Sequence, residues 1–228
     1  TVNSPELASV SNNQITLLGV GTVSFTAAQE GNQNYEAATA TGTINVAKKA
    51  VTIEGFYAKS KEYDGNSVAQ LSSGTLSGVV NSDQITLQLP QTGTFSQTKA
   101  GNSIPVSAAI SISGEKAIYY ILSIPELKAD ITPKVINVTV QNVKVECSKT
   151  EQPLKYTFEP SLLNGDSFTG ELTRQAGKLQ GTYPILLGTL SLSSNYSINF
   201  KGADYVIYDT MNLPPVVDNV ADQKANRN

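Results

Sequence analysis

Five aspartates, Asp64, Asp83, Asp130, Asp166 and Asp204, come nearest in this chain to carrying chemistry. A pair of carboxylates can divide the acid and base work of glycoside hydrolysis. Each of these aspartates, however, sits beside Gly, Asn or Ser or at the end of an apolar run, the ordinary setting of a turn residue. The 228 residues contain no histidine, which removes the usual general base and the commonest transition-metal ligand. The single cysteine, Cys147, ends an alternating run with Val143 and Val145 on its own face. It reads as a small buried hydrophobe rather than a reactive thiol, and alone it forms no disulfide within the chain. The sequence therefore predicts no enzyme, and no catalytic, cofactor-binding or metal-ligating residue set.

Three further chemistries have some footing in the residues. Structural calcium is the one cofactor to consider, since Asp130, Asp204, Asp209, Asp218 and Asp222 lie near the ends of the repeats described below. No dense acidic ligand loop accompanies them, which counts against it. A lysine–asparagine crosslink between Lys144 and Asn199 needs a buried, neutral lysine, whereas Lys144 falls in the outward phase of its run. Finally, Tyr57, Tyr63, Tyr119, Tyr183, Tyr205 and Tyr208 could stack against sugar rings. Their scatter, and the absence of tryptophan, favour packing and edge protection.

The elements that hold these residues recur. Tyr35, Tyr120 and Tyr196 each follow a polar turn and stand 11 positions ahead of Val46, Ile131 and Ile207. Intervals of 85 and 76 residues between the tyrosines point to tandem modules rather than one large fold. Each tyrosine is expected to cap a small sandwich while its hydroxyl bonds nearby backbone. Short β-branched runs between Gly, Pro, Asn and Asp clusters make the chain all-β, with one helical turn expected after Pro160.

Residues 1–47 read as three or four strands, in ELASV, QITLL, GTVSFTAA and TATGTINV. Beyond Lys48-Lys49, AVTIEGFYAKS superposes on VTVQNVKVECS at a constant offset of 87, from Val51 to Val138. Both runs alternate and both change phase at one place, Gly55 and Asn142. A matched slip of this kind implies a bend or bulge, of the sort that often needs positive φ. SGVVNSDQITL and SLLNGDSFTGEL then share two apolar residues, an Asn, a small residue and Asp83 or Asp166, which is a tight polar turn. Glycine loops around Gly101 and Gly181 follow in each.

These motifs carry a resemblance. KEYDG (Lys61 to Gly65), Asp83, the glycine loop and SGEKAIYYIL before ADITPK resemble, in that order, the YDG domain of large bacterial surface proteins. LLNGDSFTGELTR, GTYPI and NYSI resemble the related MBG-type domains of bacterial adhesins. The family's usual Asn-Tyr stands as Tyr119-Tyr120 in the first, and ECSKTEQP replaces the YGD-like turn of the second. GTVSFTAAQEGNQNYEAAT is similar to the second half of a bacterial immunoglobulin-like domain.

The resulting expectation is an all-β chain of tandem small β-sandwich-like modules, immunoglobulin-like or related, arranged as an elongated rod. Residues 1–47 form the C-terminal part of an immunoglobulin-like module, 48–133 a YDG-type module and 134–208 an MBG-type module. Residues 209–228, with Pro214-Pro215, form a linker and the start of a further module. Only Ala-Lys-Lys-Ala separates Val46 from Val51, and only Thr-Pro-Lys separates Ile131 from Val135, so little hinge motion is expected.

The resemblance implies a non-catalytic structural and adhesive repeat region, extracellular, on the cell surface or secreted, that acts as a stiff spacer and display stalk. The alternative is a carbohydrate- or mucin-binding module. Its partners would be neighbouring modules of the same chain and host or matrix glycans or proteins. A net charge of −3 without a basic footprint excludes nucleic acid. No run of 18 apolar residues is present, so no helical membrane insertion is expected.

Overall fold

The computed structural model describes residues 1–80, 83–163 and 165–210. Residues 211–228 of the expected linker and further module, with Pro214, Pro215, Asp218 and Asp222, therefore lie outside the described residues. Among the described residues every regular element is a strand except one 3-10 turn, Glu115–Tyr119. Residues 161–163 are irregular, so the helical turn expected after Pro160 does not form.

Two hairpins open the chain. β1 (Ala8–Ser11) and β2 (Gln14–Leu17) turn through Asn12 and Asn13, both at positive φ, a conformation asparagine tolerates better than most residues. β3 (Gly21–Gln29) and β4 (Ala38–Val46) pair antiparallel over nine residues. Val23 is fully buried, while β4, rich in Thr and Ala, lies mostly exposed.

The next ten strands are β5 (Lys49–Glu54), β6 (Lys61–Glu62), β7 (Val68–Gln70), β8 (Thr75–Ser77) and β9 (Thr86–Gln88), then β10 (Thr92–Phe95), β11 (Gly101–Ser107), β12 (Ser111–Ser113), β13 (Tyr120–Ser123) and β14 (Leu127–Thr132). They form a three-stranded sheet β13-β5-β8, a five-stranded sheet β6-β14-β11-β10-β7 and the pair β12-β9. Alternation places Val51, Ile53, Ala69, Phe95, Ile104, Val106, Leu127 and Ala129 inside.

The last seven strands among the described residues are β15 (Lys134–Val140), β16 (Val143–Glu146), β17 (Tyr156–Glu159), β18 (Thr173–Arg174), β19 (Gly181–Leu186), β20 (Tyr196–Lys201) and β21 (Asp204–Tyr208). They form the sheets β17-β15-β20 and β16-β21-β19-β18. Their side chains meet in two core clusters. One holds Val140, Val145, Ile185, Tyr205 and Ile207, the other Ile136, Val138, Leu190 and Tyr196.

The matched slip in β5 and β15 is a change of sheet. β5 ends before Gly55, at φ 74°, and burial resumes out of phase at Phe56 and Ala58. β15 and β16, separated by Gln141-Asn142, belong to different sheets. Asn142 does not need positive φ. Its side-chain oxygen accepts the Asp204 amide at 2.9 Å and pins the bend to β21.

Compactness divides the chain into two units. The first takes in Thr1–Lys61, Ser67–Gln97 and Asn102–Asp130. The second takes in Glu62–Asn66, Thr98–Gly101 and the described residues from Ile131 onward. Connections between successive strands stay short at the module ends. Ala47 and Lys48 separate β4 from β5, and Pro133 alone separates β14 from β15.

Candidate functional site

The feature that recurs is a latch between a tyrosine and an aspartate. In the first unit Tyr120 opens β13, which runs parallel to β5 with Tyr120 opposite Lys49. Its ring is buried, and its hydroxyl donates to Asp83 Oδ2 at 2.7 Å while accepting the Val80 amide at 3.2 Å. In the second unit Tyr196 opens β20, parallel to β15 and opposite Lys134. Its hydroxyl donates to Asp166 Oδ2 at 2.7 Å and accepts the Leu163 amide at 3.0 Å. The acid's own amide donates to a carbonyl three residues back in each, Asp83 to Val80 and Asp166 to Leu163, both at 3.0 Å.

The phenol thus satisfies a half-buried carboxylate and a turn amide with one group, as buried polar atoms require. The short O–H···O⁻ distance marks a charge-assisted bond. Burial first, and then the bond to the neighbouring aspartate, push the phenols of Tyr120 and Tyr196 above their ordinary value of 10.0.

Tyr35 does not share this arrangement. It stands 68% exposed in the loop between β3 and β4, where Asn32 Oδ1 accepts the Asn34 and Tyr35 amides at 2.8 and 3.0 Å. The 11-residue spacing is the same, but Tyr35 lies in a loop before an antiparallel strand, so no second sheet closes over its ring.

A third tyrosine joins the latch of the second unit. Tyr63 packs against the Ile136, Val138, Leu190 and Tyr196 cluster. Its ring meets that of Tyr196 edge to face, with centroids 5.4 Å apart. Its hydroxyl reaches Asp166 Oδ2 at 3.5 Å, and burial together with the Asp166 charge raises its pKa. Beside it Asn195, 8% exposed, accepts the Ala100 amide at 2.9 Å.

The remaining candidates are dispersed into structural roles. Asp64 Oδ1 accepts the Asn66 amide at 3.1 Å, and Asp130 Oδ1 accepts the Ser103 amide at 2.7 Å. Among the described residues no group of three or more His, Cys, Asp or Glu side chains could hold a metal ion. Cys147 is exposed, contrary to the buried position expected from alternation. β16 stops at Glu146 and the chain turns, with the Lys149 amide on the Glu146 carbonyl, so the inward phase ends at Val145. Lys144 and Asn199 are exposed on strands of different sheets, and Asn199 donates to Asn137 instead, at 2.8 Å.

The tyrosines considered for sugar stacking divide similarly. Tyr205 is fully buried and its hydroxyl accepts the Gln152 amide at 2.9 Å. Arg174 lies over the rings of both Tyr205 and Tyr183, 4.6 and 5.4 Å from their centroids, while its Nε bonds Glu151 at 2.6 Å. That stacked guanidinium covers an aromatic face a sugar would need. Tyr57 and Tyr208 remain exposed, and Tyr119 lies under Lys116.

The Tyr–Asp pairing is the element that sequence reasoning misses, because both acids read as turn residues. A signal exists: the same Asn-small-Asp turn precedes the same tyrosine stretch in each repeat. No helix among the described residues is long and apolar enough to cross a membrane.

Comparison with known proteins agrees with the internal repeat. One family model, the YDG domain, matches residues 47–128, and a second, the MBG domain of YGX type, matches residues 136–206. No curated protein and no solved structure matches the chain. Two consecutive latch-closed β modules, each with its own family match, make this a chain that contains a YDG domain followed by an MBG domain, repeats of the kind found in bacterial surface adhesins.

Proposed function

We propose that this chain is a structural and adhesive repeat region of a large secreted or cell-surface bacterial protein, serving as a stiff spacer that displays other parts of it. The observation that carries this reading is the repetition itself. Two family domains follow one another, each closed by a Tyr–Asp latch, and a single residue, Pro133, separates β14 from β15. Proline fixes φ and leaves such a connection little freedom. In this proposal residues 1–47 belong to a bacterial immunoglobulin-like module that precedes the YDG domain. Its immediate partners are neighbouring modules of the same chain, and its setting is extracellular. Small-angle scattering of the full chain tests the spacer role. Extended particles with a narrow distribution of lengths are expected. A compact globule, or a broad distribution typical of freely hinged beads, would overturn it.

A further inference from the structure

We infer that Leu163, Asp166, Asn195 and Tyr196 form a socket for the tripeptide Tyr63-Asp64-Gly65, so that the YDG motif completes the fold of the second unit. Each residue of the tripeptide has a physical reason to be there. Tyr63 brings the ring that packs edge to face on Tyr196 and covers the Ile136, Val138 and Leu190 cluster. Its backbone amide is fixed on the Thr132 carbonyl at 2.8 Å, and its hydroxyl points at Asp166. Asp64 has the short side chain that reaches an amide two residues on, here Asn66, and so holds the turn behind the ring.

Gly65 answers two demands. Its φ is 78°, and a Cβ there would stand 3.0 Å from the Leu163 Cδ1 atom. Leu163 is the residue whose amide the Tyr196 hydroxyl accepts, so the glycine lies directly against the latch. A second segment is held beside it, through the Ala100 amide on the buried Asn195 side chain.

The compact unit that these contacts define includes Glu62–Asn66 and Thr98–Gly101, although both segments fall inside the stretch matched by the YDG model and precede the MBG match. The occupant of the socket is therefore a phenol-bearing turn with glycine at its third position. An MBG domain of this type folds fully only with such a turn supplied from the preceding domain. The inference stands whether or not the chain acts as a spacer.

Hydrogen exchange of the full chain, read amide by amide by NMR, tests it. Tyr63→Ala should speed exchange about tenfold or more at Leu163, Ala100 and the β15–β20 ladder. The β3–β4 and β5–β8 ladders of the first unit should exchange as before. Tyr57→Ala, at an exposed tyrosine of the same YDG stretch, should change neither set. If Tyr63→Ala unfolds the chain outright, Tyr63→Phe and Gly65→Ala give the same comparison in milder form. Unchanged protection in the second unit, or an equal loss in both units, would overturn the socket.

Discussion

A tyrosine hydroxyl is a modest group, yet placed between a carboxylate and an amide it closes a fold. Replacing Tyr196 by Phe keeps the ring and removes both bonds at once, leaving Asp166 and the Leu163 amide to find water. The expected loss is about 1 kcal/mol on the scale of a net hydrogen bond, measured by denaturant unfolding of the full chain. The pH dependence has a definite sign. Burial and the aspartate bond favour the neutral phenol, so the folded-state pKa lies above the unfolded value of 10.0. This contribution is fully present below 10.0 and is lost as the pH rises through the folded pKa. The native chain should therefore weaken in alkali, and Tyr196→Phe should make that decline shallower. An equally steep decline in the variant would show that other groups carry the alkaline loss.

At the scale of elements, the bend that moves a strand from one sheet to the other is visible as a phase slip in two runs 87 residues apart. What the slip accomplishes is not visible there, because a bulge and a change of sheet leave the same trace in a single strand. The two bends also use different chemistry. Gly55 depends on its backbone: φ is 74°, and a Cβ added there would meet nothing nearer than the Ser73 carbonyl oxygen, at 4.0 Å. Asn142 depends on its side chain, bonded to the Asp204 amide. Gly55→Ala should then cost about 1 kcal/mol through conformation alone. Asn142→Ala should instead cost a hydrogen bond, and Asn142→Asp, which keeps the acceptor, should recover most of it. Thermal unfolding of the three variants separates these cases; equal losses for Asn142→Ala and Asn142→Asp would exclude the acceptor role. The strands of residues 1–47 and the alternating cores of both domains are legible because period-2 burial writes itself into sequence. The exposure of Cys147 and Tyr35 is not, since alternation and spacing do not report where a strand stops or whether a second sheet lies above it.

For the whole molecule, the parallel pairing of each domain's opening and closing segments has a mechanical consequence. β20 lies parallel to β15, and β21 parallel to β16, so the opening segment β15–β16 runs beside the closing segment β20–β21. In the YDG domain the opening strand β5 likewise lies parallel to β13, the strand that precedes β14. Tension applied through the two ends of such a domain acts along the ladder, loading its backbone bonds together in shear. An antiparallel terminal pair would open one bond at a time, like a zipper. A chain that spaces and displays would be stretched along this direction whenever its far end is held. Pulling single molecules by their termini should give abrupt rupture events at high force, one for each domain. Gradual lengthening at low force would mean that the load enters somewhere other than these paired strands.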